Sequence, residues 1–234
     1  MGKKRLGIGF LGGGFISRFH IQSLLGVRDV DVFGVVSKTK QSADDTAALA
    51  NELGVGPAKV FDTITEIIEN PDVDALWVCS PNYARIETFE EIADAVSSGK
   101  GELIGVACEK PLGRNVAEAK KVLELTQSAG LLDSYLENQV FSPSITRGKE
   151  IIWTRGAANT GRPFLARAAE EHSGPHMPWF WEGELQGGGV LNDMMCHSVE
   201  EARFLLTEPG KPRDSIKPIS VSAHTACLKW QRPK

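Results

Sequence analysis

Three groups of residues in this chain could do chemistry together. The first is Gly12-Gly13-Gly14-Phe15-Ile16-Ser17, directly after the apolar run Leu6–Leu11. Gly12 permits a tight turn there. Gly14 lets backbone approach a pyrophosphate at a helix N-terminus opened by Phe15 and Ile16, where N–H groups and the helix dipole favour anions. Ser17 is the small residue that helix–strand packing wants. The second group is Glu109-Lys110-Pro111, after the apolar run Leu103–Cys108. An ammonium in such a place can stabilise charge on a substrate oxygen and help move its proton, although an ordinary surface lysine fits the spacing equally well. The third is Gly187-Gly188-Gly189-Val190-Leu191-Asn192-Asp193-Met194-Met195-Cys196-His197. If this stretch is helical, Asp193 and His197 share a face. An aspartate beside a histidine can orient the ring and support its charged form; a plain surface pair is the alternative. The glycines allow close backbone approach to a ligand.

A glycine fingerprint alone is weak evidence, but here strand, turn and helix are in register, which favours dinucleotide binding over a structural turn. The second strand ends in Ser37-Lys38-Thr39-Lys40, and no acid lies between Val32 and Ala43. An acid there would hold a ribose 2′-hydroxyl. Ser37 and Lys38 suit a 2′-phosphate instead, so NADP is expected in preference to NAD.

The elements that must position these groups are legible along the first 140 residues. Strands are expected at Leu6–Leu11, Val30–Val36, Val73–Cys79, Leu103–Cys108 and Leu131–Glu137. Helices are expected at Gly14–Leu25, Ala43–Leu53, Thr63–Glu69, along the face Ile86, Phe89, Ala93 and Val96, and from Asn115 to Ala129. Thr63 with Glu66 and Asn115 with Glu118 are capping-box pairs. Apolar strands alternating with helices predict a parallel, doubly wound sheet covered on both faces. Its ligands bind at the carboxyl ends of the strands, which gathers the residues after Leu11, Val36, Cys79 and Cys108 on one rim. Beyond residue 140 the alternation stops. Phe164–Glu171 and Ile219–Leu228 read as strands and Leu191–Leu206 as a helix. A dinucleotide-binding domain over 1–140 and an α+β domain over 141–234 are expected.

The chain carries 26 basic and 30 acidic residues, a formal charge of −4. That balance argues against a general nucleic-acid binder. No apolar run reaches the ~18 residues of a membrane span. Lys3-Lys4-Arg5 before Leu6–Phe10 imitates an export signal, but the glycine run and Arg18 spoil it, so a cytoplasmic location is expected. The four cysteines, Cys79, Cys108, Cys196 and Cys227, form no CxxC pair and read as reduced thiols.

Taken with His20, Ser80-Pro81-Asn82 and the glycine run ending at His197, these motifs resemble the glucose–fructose oxidoreductase and inositol dehydrogenase (Gfo/Idh/MocA) family. The landmarks fall in the family's order and approximate spacing from residue 12 to 197. The resemblance implies a Rossmann domain followed by a domain built on an open, mostly antiparallel sheet. It implies hydride transfer between a nicotinamide and a sugar, polyol or related hydroxy compound. Lys110 would be the catalytic lysine, followed by a cis proline. His197 would be the acid/base, with Asp193 as its partner. Gly12, Gly14, Phe15, Ile16, Ser37, Lys38, Ser80, Pro81, Asn82, Glu109 and Lys110 would meet the cofactor. An oligomer is also implied by resemblance.

Arg85 stands where the family often has histidine. Ninety-four residues follow position 140. That is short for the family's second domain, so the remaining strands are expected to lie outside this sequence or in another chain. Trp179 in Trp179-Phe180-Trp181 could stack on a sugar face or plug an interface. His176 reads as a substrate contact, and His20 as structural. A zinc site built from His172, His176, Asp193 and His197 is the weaker reading, and no metal is expected. Two other functions share these motifs. One is a nicotinamide-assisted enzyme that cleaves or isomerises a sugar without net redox change. The other is a non-catalytic dinucleotide-binding regulator, which would have no need of Lys110, Asp193 and His197 together.

Overall fold

A computed structural model describes residues 5–171 and 173–226. His172 and Cys227, and the last two residues of the expected strand Ile219–Leu228, lie outside the described residues. Contacts group the chain into two compact units, Met1–Asn138 with Ala169–Ser198, and Gln139–Ala168 with Val199–Lys234.

The first unit is a six-stranded parallel sheet. Its strands are β1 (Leu6–Leu11), β2 (Val30–Val36), β3 (Lys59–Val60), β4 (Ala75–Val78), β5 (Gly105–Glu109) and β6 (Leu132–Leu136). They lie in the order β3-β2-β1-β4-β5-β6, every neighbouring pair parallel. Five helices connect or follow them: α1 (Phe15–Ser23), α2 (Lys40–Glu52), α3 (Ile64–Glu69), α4 (Arg85–Ser97) and α5 (Val116–Ser128). The sheet is apolar on both faces because both are covered. Phe10, Ile21, Val32, Val35, Ala43, Ala47 and Ala50 pack on one side. Ile67, Leu76, Val78, Phe89, Ile92, Val106 and Val122 pack on the other. At about 25 cal/mol per Å² of apolar area removed from water, these two layers dominate the stability of the unit.

Capping follows the sequence. The Thr63 hydroxyl accepts from Glu66 N at 3.1 Å, and the Asn115 side chain accepts from Glu118 N at 3.0 Å. The glutamates reach one residue further back than a standard capping box. Glu66 accepts from Asp62 N at 3.0 Å and Glu118 from Arg114 N at 2.8 Å. The two-residue strand β3 escaped the sequence reading because it is too short to show a period.

The second unit is helical among the described residues. Helix α6 (Pro143–Ile151) opens with Ser142 and a first-position proline, runs into a π-helical stretch at Ile152–Gly156 and ends in a turn at Ala157–Thr160. Trp153 Nε1 donates to Leu205 O at 2.9 Å, and Lys149 Nζ sits 4.0 Å from the Phe204 ring centre. The expected strands do not form among the described residues: 163–171 and 219–226 are irregular, and no strand follows β6. A strand needs a neighbour for its N–H and C=O groups. Neither segment pairs with a strand among the described residues, and Phe164, Leu165, Ile219 and Val221 are left exposed. The antiparallel sheet expected here is therefore absent from the described residues.

Candidate active site

The glycine turn builds an anion cradle. Gly12 has φ +112°, and a Cβ there would lie 2.9 Å from the Cys79 carbonyl, so no other residue fits without strain. Ser17, fully buried, donates to Gly12 O at 2.6 Å and closes the turn. Gly14 caps α1 without a side-chain hydrogen bond, and a Cβ on it would meet nothing within 4 Å. The first turn of α1 is thus uncapped beside open space, which suits a pyrophosphate. Phe15 beside them is 83% exposed. The Ser37 hydroxyl accepts from Gly13 N at 3.2 Å, tying the end of β2 to the turn, and Lys38 is exposed next to it. At the end of β4 the Ser80 hydroxyl is buried with no partner among the described residues. An uncapped helix terminus, a side-chain-free approach and an orphaned hydroxyl on one rim all fit a dinucleotide.

The rim between β4 and β5 is braced from inside. Arg85, only 2% exposed, donates through Nε to Ser80 O at 2.9 Å and through Nη1 to the Glu109 carbonyl and, at 2.6 Å, to Cys108 Sγ. Glu109 is buried as well. One carboxylate oxygen is 2.8 Å from His20 Nε2, and the other accepts from Lys110 N at 2.9 Å. His20 stacks on Trp77, in line with its structural reading. The Glu109 side chain therefore holds Lys110 rather than reaching outward. Asn82 likewise turns inward, donating to Gln186 O at 2.9 Å. The Lys110–Pro111 peptide is cis, as the resemblance implies.

The second half of the site arrives on the segment 183–197. Arg114 Nη1 donates to Glu184 O at 2.6 Å, and the buried Gln186 accepts from Gly188 N at 2.8 Å and Gly189 N at 2.5 Å. Asn192 Nδ2 donates to Gln186 O at 3.2 Å. Gly187, at φ +106°, passes Arg114 so closely that a Cβ would lie 2.6 Å from its Cα.

This segment corrects one expectation. Asp193 and His197 are not on one continuous helix, because a turn of helix at Val190–Asp193 stops at Met194 before the helix Met195–Leu206 begins. Asp193 instead pairs with Lys110. Lys110 Nζ donates to Asp193 Oδ1 at 3.0 Å and to Asp193 O at 2.9 Å. The partner of His197 is Glu137, with Nδ1 and Oε1 2.6 Å apart and both side chains almost fully buried. Glu137 was missed by the sequence reading. Its signal was present, since it is an acid at the carboxyl end of the last strand, on the same rim as Lys110.

Cys196 lies between the two couples. Burial pushes its thiol up, the charges of Glu137 and Asp193 add to that, and Lys110 opposes it. Its Sγ donates to Asp193 O at 3.3 Å. Burial also pushes Cys79 up to about 12 and raises Cys108, in the second case against the pull of Arg85. The described thiols are thus free and protonated at neutral pH, poor nucleophiles. The ligating atoms of Glu137, Cys196 and His197 lie within 4.8 Å of one another. The Nδ1–Oε1 hydrogen bond is one of these contacts.

The aromatic segment reaches the same rim. Trp179 stacks on Phe180 at 3.8 Å and meets Tyr83 edge-on at 5.9 Å, just past the Ser80-Pro81-Asn82 turn. His176 is exposed nearby in sequence. No helix among the described residues is long and apolar enough to cross a membrane.

Comparison with known proteins agrees with this geometry. The family described as "Oxidoreductase family, NAD-binding Rossmann fold" matches residues 6–135, and the Gfo/Idh/MocA C-terminal domain matches 157–229. The chain is 29% identical over 201 residues to the 1,5-anhydro-D-fructose reductase of Ensifer adhaerens, covering 82% of this chain and 53% of that protein. It is 27% identical over 202 residues to the myo-inositol 2-dehydrogenase of Thermotoga maritima, covering 86% and 55%. Among solved structures, GenD2 from gentamicin A biosynthesis in complex with NAD superposes with a TM-score of 0.73 at 28% identity, covering 88% of this chain and 55% of that one. The chain spans about half the length of the curated relatives it matches. Matched over residues 6–135 and 157–229, the chain belongs to the Gfo/Idh/MocA oxidoreductase family.

Proposed function

We propose that the protein is an NAD(P)-dependent dehydrogenase acting on a CH–OH group of a sugar, polyol or related hydroxy compound. We further propose that it is cytoplasmic and homo-oligomeric, prefers NADP and needs no metal. The observation that carries the reading is the convergence of Lys110 with Asp193, and of His197 with Glu137, on the rim formed by β5 and β6. The family assignment and relatives named as sugar and inositol oxidoreductases support it.

The backbone of Gly12, Gly14, Phe15 and Ile16 would hold the pyrophosphate, and Ser37 with Lys38 the 2′-phosphate. Ser80, Pro81, Asn82, Glu109 and Lys110 would border the nicotinamide end, with His176 and Trp179 against substrate. When bound, the nicotinamide accepts the hydride that leaves the carbinol carbon. The Lys110 ammonium, fixed by Asp193, stabilises the negative charge that gathers on the substrate oxygen. His197 takes the hydroxyl proton.

Fluorescence titration with NADPH and NADH, then an absorbance screen of sugars and polyols, tests the reading. Binding of either nucleotide and reduction of NAD(P)⁺ by at least one polyhydroxy compound are expected; no nucleotide binding overturns it. Lys38→Glu should weaken NADPH at least about tenfold more than NADH, since it sets like charge against a 2′-phosphate. An equal effect on both would remove the 2′-phosphate assignment. Dialysis against a strong chelator should leave turnover unchanged, whereas loss restored by zinc would assign a metal to the cluster of Glu137, Cys196 and His197.

A further inference from the structure

We propose that Glu137 is the positioning residue for His197: it accepts a hydrogen bond from Nδ1–H and so leaves Nε2 as the nitrogen that accepts a proton from substrate. For turnover, the inference rests on the dehydrogenase reading.

The spacing of Asp193 and His197 suggests one acid–imidazole couple, but the structure separates two. Asp193 belongs to Lys110, bound through both its carboxylate and its carbonyl. His197 belongs to Glu137, 60 residues away in sequence and on a different element. At 2.6 Å this is a short, charge-assisted contact, and the two side chains are 5% and 1% exposed. A carboxylate so deeply buried would be costly to leave without a donor, and the imidazole supplies one. A neutral imidazole has one N–H and one lone pair, so fixing the proton on Nδ1 fixes the lone pair on Nε2.

The substrate O–H bond breaks and its proton forms a bond to Nε2. The C–H bond would break with its electron pair, which a bound oxidised nicotinamide would take up as hydride, while the alcohol becomes a carbonyl. The imidazolium formed carries its charge beside Glu137 until the proton leaves to water. Asp193 has a parallel but distinct task, keeping the Lys110 ammonium in place. Each carboxylate thus serves its own cation, and substitution of one should not mimic substitution of the other.

The test reads the ring directly. The full chain is labelled with ¹⁵N-histidine, and the His197 signals are assigned by their loss in His197→Asn. Long-range ¹H–¹⁵N correlation should show the Nδ1–H tautomer in the wild type and in Asp193→Asn. Glu137→Leu should lose it. Glu137→Gln, close in shape and able to accept the same hydrogen bond, should keep it. With a turned-over substrate, Glu137→Leu should lower kcat about a hundredfold or more with KM little changed, and Glu137→Gln less. An Nε2–H ring in the wild type, a metal on Nδ1, or a Glu137→Leu protein that keeps both tautomer and kcat would each overturn the proposal. If the ring behaves as expected but no hydroxy compound is oxidised, the positioning of His197 stands and the dehydrogenase reading fails.

Discussion

Lys110→Ala is expected to lower kcat by about a thousandfold or more while nucleotide affinity changes less than about threefold. The ammonium sits at the carboxyl end of β5, held by two contacts to Asp193 at 2.9 and 3.0 Å. It is also largely sheltered, with 19% of its side chain exposed, so its field is little screened by water. Alanine removes the charge and strands Asp193, whose carboxylate is 13% exposed. A stability loss of roughly 1–3 kcal/mol should accompany the loss of turnover. Lys110→Arg should not restore full rate, because a planar fork replaces a compact ammonium. Steady-state kinetics, nucleotide fluorescence and a melting curve separate the three effects. Wild-type turnover in the alanine variant would remove Lys110 from the chemistry.

Gly12→Ala should cost both nucleotide binding and stability, whereas Gly14→Ala should cost binding alone. At Gly12 the backbone sits at φ +112° and an added Cβ meets the Cys79 carbonyl at 2.9 Å. Strain of about 1–3 kcal/mol is expected, enough to lower Tm by several degrees. At Gly14 the backbone is ordinary, φ −81°, and an added methyl meets nothing within 4 Å. That methyl occupies the space a pyrophosphate needs, so affinity should fall at least about tenfold with Tm unchanged. Equal melting temperatures for the two variants would show that the turn tolerates a side chain at Gly12.

The nucleotide half of the molecule was legible because its rules are local. Leu6–Leu11 and Val30–Val36 are short apolar runs covered on both faces, and their ends fall where the sequence placed them. The capping residues Thr63 and Asn115 act through atoms three residues away. The pairing inside the site was not legible, since it depends on a break at Met194 that sends Asp193 to Lys110 and leaves His197 to Glu137. Arg85 departs from the family's usual histidine, yet its part as an internal brace to Ser80, Cys108 and Glu109 follows only from three dimensions. Helix α6 was overlooked although Ser142-Pro143 marks its start. The expected strands at 164–171 and from 219 failed for the opposite reason. A period-two pattern states which residues could line a sheet, but only a neighbouring strand makes one.

The segment carrying Asp193 and His197 is moored to the strand rim by few ties. Among the described residues they are Asn82 to Gln186, Arg114 to Glu184, Asn192 to Gly113, and the pairings of Lys110 with Asp193 and of Glu137 with His197. The six-stranded sheet beneath has its own two apolar layers. Amide protons of residues 183–197 should then exchange with deuterium well before those of β1 and β4. On the proposed function, warming should extinguish turnover at a temperature where the nucleotide is still held, so the protein would fail first by detachment of one flap and only later by melting.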